Sequence, residues 1–190
     1  MTLNLYLARH GETEWSKSGR HTGRTDIPLT PEGESRARQL GNRLRGIEFM
    51  RVYTSPLQRA RRTAALAGFP EAAPTDLLLE YDYGQYEGVT THEIRETRPG
   101  WELYRDGRPG GETPAHIYER AQGFIAEAQR DGGRVLAFAH GHILRAVGAA
   151  FLEEPVEFAI RLNLDTAALS MLQDGAHGRV LGFWNLAPGQ

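Results

Sequence analysis

Two histidines each stand between an apolar run and a glycine: His10 in LNLYLARHG (Leu3–Gly11) and His140 in VLAFAHGH (Val135–His142). A neutral imidazole is a competent nucleophile toward phosphorus and yields a phosphohistidine that water can hydrolyse. The transferred phosphoryl group carries charge on its equatorial oxygens and needs fixed cations around it. Arg9 adjoins His10, and its planar fork suits two such oxygens at once. Taken alone, Arg-His-Gly also fits a surface pair at a strand end.

A second group lies in Thr54–Thr63 (TSPLQRARRT). If Ser55 caps a helix here, Arg59 lies one turn in, so that its guanidinium and the helix N-terminus face one anion. Arg61 and Arg62 leave that face. The plain alternative is a solvated basic surface. In His140-Gly141-His142, His140 ends a strand and His142 starts a helix. A protonated His140 would add a positive donor, His142 reads equally well as a rim or structural residue, and Arg145, one turn beyond Gly141, faces the pocket. A departing alkoxide needs a proton. Glu80, Asp82 and Glu87 are candidate donors, and their spacing does not choose among them. A metal site is disfavoured: no HExxH or cysteine accompanies His140 and His142, and Arg9 would repel a cation.

These residues need elements to position them. Both His–Gly runs read as buried strands that deliver their histidines to the carboxyl edge of a parallel sheet, where ligands bind in such folds. His10–Thr30 reads as a long functional loop. Thr30-Pro31 starts a helix to about Arg45 with Ala37, Leu40 and Leu44 inward. Phe49–Thr54 is a short strand, with Ser55-Pro56 opening a helix to about Ala67. Pro70–Asp76 reads as a loop, and residues 80–111 as a cap-like insertion with a short helix at Thr91–Thr97. Thr113-Pro114 starts a helix ending at Gly132-Gly133, and another helix spans roughly Ile143–Leu152. Ala167–Leu172 and Val180–Trp184 are final strands joined through Asp174-Gly175. The alternation predicts an α/β fold with a mainly parallel central sheet covered on both faces, as a single domain over 1–190.

Composition narrows the chemistry. Net charge is −2 over 190 residues, without a basic block, so a nucleic-acid surface has no electrostatic support. There is no cysteine, which removes disulfides and thiol nucleophiles. No apolar run reaches the roughly 20 residues that span a bilayer. The first strand leaves no room for a signal peptide, so a cytoplasmic enzyme is expected.

Together the pieces resemble the histidine phosphatase superfamily, also called phosphoglycerate mutase-like. The resemblance runs from Leu5 to about Leu152. It rests on Arg9-His10-Gly11-Glu12-Thr13, Asp26-x-Pro28-Leu29-Thr30, Ser55-Pro56-Leu57-x-Arg59-Ala60-x-x-Thr63, Leu79-Glu80, Gly84-x-x-Glu87-Gly88 and His140-Gly141, all in family order. It implies a three-layer α/β/α sandwich with His10 as the phosphorylated nucleophile. It also implies that Arg9, Arg59 and His140 line the phosphate pocket, that Glu80 is the proton donor, and that no metal or other cofactor is required. Residues 13–19, His21-Thr22-Gly23, Tyr83–Gly88 and Phe138–Arg145 are similar to the sedoheptulose-bisphosphatase-type branch. That branch implies sugar-phosphate contacts from His21, Thr22, Gly23, Tyr83 and Arg145. Ser16 departs from the pattern, standing where many members carry asparagine and removing an amide from the first loop.

The expected activity is a metal-independent phosphomonoesterase for small phosphorylated metabolites, with neither nucleic acid nor membrane as partner. A cofactor-dependent phosphoglycerate mutase is the nearest rival. Only about 60 residues separate Glu80 from His140, whereas mutases carry a longer shielding segment there. A non-catalytic phospho-ligand binder would need neither His10 nor Glu80. Oligomeric state is left open, a homodimer included.

Overall fold

Successive side chains along a strand face opposite sides of a sheet, those two apart share a side, and both sides are buried here. In the computed structural model, which describes residues 2–189, β1 (Leu3–Arg9) sends Leu3, Leu5 and Leu7 to one core cluster and Tyr6 and Ala8 to another. There follow α1 (Glu14–Lys17), α2 (Pro31–Leu44), β2 (Arg51–Thr54), α3 (Gln58–Leu66) and β3 (Ala73–Pro74). Residues 80–111 hold α4 (Thr91–Thr97) and α5 (Leu103–Asp106). The chain continues through α6 (Pro114–Asp131), β4 (Gly133–Ala139), α7 (Gly141–Phe151), β5 (Leu169–Gly175) and β6 (Gly178–Leu186).

The strands lie in the order β3-β2-β4-β1-β5-β6. The first four are parallel, and β5 runs antiparallel to both β1 and β6. On one face, Leu40 and Leu44 of α2 and Ala64 of α3 meet Ala8, Leu136 and Phe138. On the other, Phe124 and Ile125 of α6 and Val147 and Phe151 of α7 meet Leu5, Leu7, Val135 and Ala137. The result is the expected three-layer α/β/α sandwich. Tyr81, Tyr83, Trp101 and Tyr104 join the second cluster, so residues 80–111 pack onto the same core.

Helix starts follow their caps. Thr30 accepts from Gly33 N at 3.0 Å and Thr113 from His116 N at 3.2 Å, each followed by proline at the first helical position. Thr90 and Glu93 close a capping box at α4.

Three local expectations fail. Ser55 does not cap α3, whose N-cap is Leu57; Asp26 Oδ1 instead accepts from Gln58 N at 2.9 Å, so that helix end already faces a carboxylate. The stretch expected as a loop at Pro70–Asp76 contains β3, too short to carry a period. Gly175 pairs with Gly178, so the last hairpin turns at Ala176-His177, beyond Asp174-Gly175.

Candidate active site

Strand register brings the histidines together. Arg9 pairs with Ala139 across β1 and β4, so His10 and His140 leave adjacent parallel strands at the same level. His10 N donates to Ala139 O at 2.9 Å, and the two imidazoles lie 5.2 Å apart between centroids. On the other side of β4, Ser55 N donates to Phe138 O at 2.8 Å, which sets Ser55 beside His140.

His10 Nδ1 lies 2.7 Å from the carbonyl oxygen of Gly11. A carbonyl only accepts, so Nδ1 carries the proton and the Nε2 lone pair is free. Burial, Arg59 and Arg9 hold the ring well below the usual imidazole range and keep it neutral. This is the form in which a histidine attacks phosphorus.

The same logic fixes His140. Arg59 Nε donates to His140 Nδ1 at 3.1 Å, so the proton sits on Nε2, which donates to Ser55 Oγ at 2.7 Å. Burial and the Arg59 charge keep this ring neutral as well. The expected protonated His140 is therefore corrected: it is a neutral donor, because the surrounding cations oppose a further positive charge. The other Arg59 nitrogens donate to the carbonyls of Thr22, Gly23 and Thr25 and strap the first loop over the buried guanidinium.

Arg9 NH1 donates to Leu164 O at 2.5 Å, whereas its buried Nε has no partner and remains a donor for an anion. Glu80 is seated on the first turn of α7. Its Oε1 accepts from Tyr81 N at 2.8 Å and Ile143 N at 2.9 Å, and its Oε2 accepts from His142 N at 3.0 Å. Burial pushes its carboxyl up, but these donors and His142 outweigh it and hold Glu80 well below the usual range, ionised. The other two candidate acids are committed elsewhere. Glu87 accepts from Gly23 N and Thr25 N, and Asp82 Oδ1 from Gly84 N.

These groups line a cavity of about 230 Å³. Of the residues expected at the site, Arg9, His10, Ser16, His21, Thr22, Glu80, Tyr83, His142 and Arg145 line it, while Arg59 and His140 lie fully buried behind them. Gly23 does not line it. Its N–H and C=O are held by Glu87 and Arg59, and a Cβ would fall 2.6 Å from Tyr81 O, so Gly23 serves close packing and its expected substrate contact is corrected. Arg145 reaches the cavity with its Nε and NH2 donating to the carbonyls of Ala159 and Ile160. His21 stacks on Tyr83 at 4.6 Å, and burial pushes its pKa down to about 3. Ser16 turns its hydroxyl to Thr13 O, inside the capping box of α1.

Sequence reading did not assign Arg20, Thr91, Asn163 and Leu164 to the cavity. The last two lie beyond Leu152, outside the motifs, and nothing in their types signals a site. From sequence Ser55 reads as a helix cap; its pairing with His140 becomes visible only through the β2–β4 register. A larger cleft of about 620 Å³ over Pro56, Arg61, Arg62 and Phe69 carries none of these groups.

The family model "Histidine phosphatase superfamily (branch 1)" matches residues 5–187, well past the motif region. The chain is 40% identical over 171 residues to an acid phosphatase of Mycobacterium tuberculosis, covering 88% of this chain and 84% of that one. It is 37% identical over 182 residues to sedoheptulose 1,7-bisphosphatase of Saccharomyces cerevisiae, covering 78% of this chain and 67% of the relative. The solved structure of a Mycobacterium tuberculosis open reading frame product superposes with a TM-score of 0.94 at 38% identity, over 97% of this chain and 98% of that one. With the motif histidines brought to one sheet edge and the match spanning nearly its whole length, this chain belongs to the histidine phosphatase superfamily, branch 1.

Proposed function

We propose that this phosphatase hydrolyses small sugar-phosphate monoesters in two in-line transfers, carrying the phosphoryl group on His10 Nε2. The observation that supports this most directly is the tautomer of His10. Its proton is tied to Gly11 O, and the opposite nitrogen is unpaired, with Arg9 lining the same cavity. In the first transfer the Nε2–P bond forms as the bond from phosphorus to the ester oxygen breaks. Arg9 supplies a donor to the phosphoryl oxygens, Arg59 and Ser55 hold His140 behind His10, and Glu80 handles the proton the leaving oxygen requires. In the second, water attacks phosphorus and returns the electron pair to Nε2.

A cavity of about 230 Å³ is smaller than the roughly 300–1,000 Å³ typical for drug-sized ligands, which suits a small metabolite. Its polar rim of Arg20, His21, Thr22, Arg145 and Asn163 suits a hydroxylated, anionic one. The acid phosphatase and the sedoheptulose bisphosphatase among its relatives support the same substrate class.

The test is a rapid quench of the enzyme with a phosphate ester. Acid-labile, base-stable phosphate on the protein is expected, absent in His10→Ala together with turnover. Full turnover by His10→Ala would refute the reading. With 3-phosphoglycerate as substrate, free phosphate rather than 2-phosphoglycerate is expected.

A further inference from the structure

Glu80 rests as a carboxylate, yet the departing alkoxide must leave with a proton. The backbone donors of Tyr81, His142 and Ile143 that hold the carboxylate favour the ion and oppose its protonation. One ring is placed to resolve this. His142 Nδ1 lies 3.8 Å from Glu80 Oε2 and in hydrogen-bond contact with the Tyr83 hydroxyl. The ring faces the cavity that holds His10, with 23% of its side chain exposed, and neither transfer described above uses it.

We propose that His142 stores the proton that Glu80 passes to the leaving oxygen, acting through Glu80 as a positioning residue. The inference rests on the reading of Glu80 given above. Six groups face the ring: Glu80, Tyr83 and Tyr104 beside it, His21 from the first loop, and the charges of Arg9 and Arg145. In the resting site burial keeps the ring neutral, although Glu80 opposes that effect. Tyr83, whose buried phenol keeps its proton, then donates to Nδ1. An incoming phosphoryl dianion adds negative charge beside the ring and shifts the balance toward the imidazolium.

The ring takes up one solvent proton as the dianion binds and gives it back to solvent when phosphate leaves, so the proton account closes. As the bond from His10 Nε2 to phosphorus forms, the ester oxygen leaves with its electron pair. The Nδ1 proton of His142 moves to Glu80, and one proton leaves that carboxyl for the departing oxygen. When water bonds to phosphorus and the N–P bond breaks, the water proton returns through Glu80 to His142. The sum is ester plus water giving alcohol plus phosphate.

The experiment compares kcat for glycerol 2-phosphate, whose alkoxide needs a proton, with p-nitrophenyl phosphate, whose phenolate leaves without one. In His142→Phe and His142→Gln the ratio of alkyl to aryl turnover is expected to fall at least about tenfold. The wild-type decline in alkyl kcat with rising pH, as the bound-state imidazolium is lost, should vanish in both variants. A ratio within about threefold of wild type, or a persisting alkaline limb, overturns the proposal. If His142→Phe does not fold, the polar His142→Gln decides. Failure of wild-type enzyme to form phosphohistidine would instead strike the reading of His10.

Discussion

Arg59 Nε donates to His140 Nδ1 across 3.1 Å, and because a guanidinium can only donate, this one bond determines which His140 nitrogen carries the proton. The same side chain satisfies carbonyls at Thr22, Gly23 and Thr25, so its charge and its shape are both in use.

Arg59→Lys is therefore a severe change. A lysine presents a point charge without the fork, leaving carbonyls of the first loop unpaired and the His140 tautomer free to switch. A loss of about 10²–10³-fold in kcat is expected, comparable with removing one transition-state donor. Steady-state kinetics measure the loss, and nitrogen NMR of His140 should show both tautomers.

Stability should fall in mild acid. Burial, with a smaller effect from His142, lowers His21 to about 3, so the folded chain keeps it neutral while the unfolded chain protonates it below its ordinary value near 6.5. Its contribution is complete above pH 6.5 and is lost as pH falls toward 3. Between pH 7.5 and 5 this amounts to about 2 kcal/mol from His21. Buried His10 and His140 act in the same direction. Urea midpoints at the two pH values should differ by less in His21→Gln than in the parent; an equal difference would show that His21 does not contribute.

Glycines at two places predict opposite outcomes. A Cβ on Gly33 would lie 2.2 Å from the carbonyl oxygen of Glu12, where backbone cannot easily yield. Gly33→Ala should cost about 1–3 kcal/mol and lower kcat, because the displaced peptide adjoins Gly11 and His10. Gly123 lies inside α6, and a Cβ there meets only the Leu77 side chain, at 3.5 Å or more. Gly123→Ala should stabilise by about 0.5–1 kcal/mol without altering kinetics. Urea denaturation and kcat distinguish the two.

Chelation should leave activity intact. Arg9 and Arg59 already supply cationic charge around the His10 ring. Turnover of a phosphate ester after EDTA treatment is expected to match the untreated enzyme. A loss restored by a divalent cation would contradict the transfer scheme.

The fold was legible where periodicity or capping chemistry is local. Thr30-Pro31 and Thr113-Pro114 announce α2 and α6, and the helix at Thr91–Thr97 matches its expected limits. The two-residue β3 and the turn at Ala176-His177 carry no such signal. At the site, His10 and His140 could be paired from sequence because both end buried parallel strands. The partners of Ser55, Asp26 and Glu80 could not, because each is set by strand register or by a helix start from a distant segment. Protonation states were the least accessible of all: they depend on burial and on which atom faces which donor.

The seating of Glu80 on α7 has a consequence for how this scaffold can diversify. The groups proposed to transfer phosphate are anchored to strand ends and one helix start, whereas of residues 84–111 only Thr91 lines the cavity. Changes at the rim residues Arg20, Thr22 and Asn163 would redraw which alcohol is admitted and leave the proposed phosphorus chemistry in place. Recognition can therefore be retuned at the rim without moving the strand ends that carry His10 and His140.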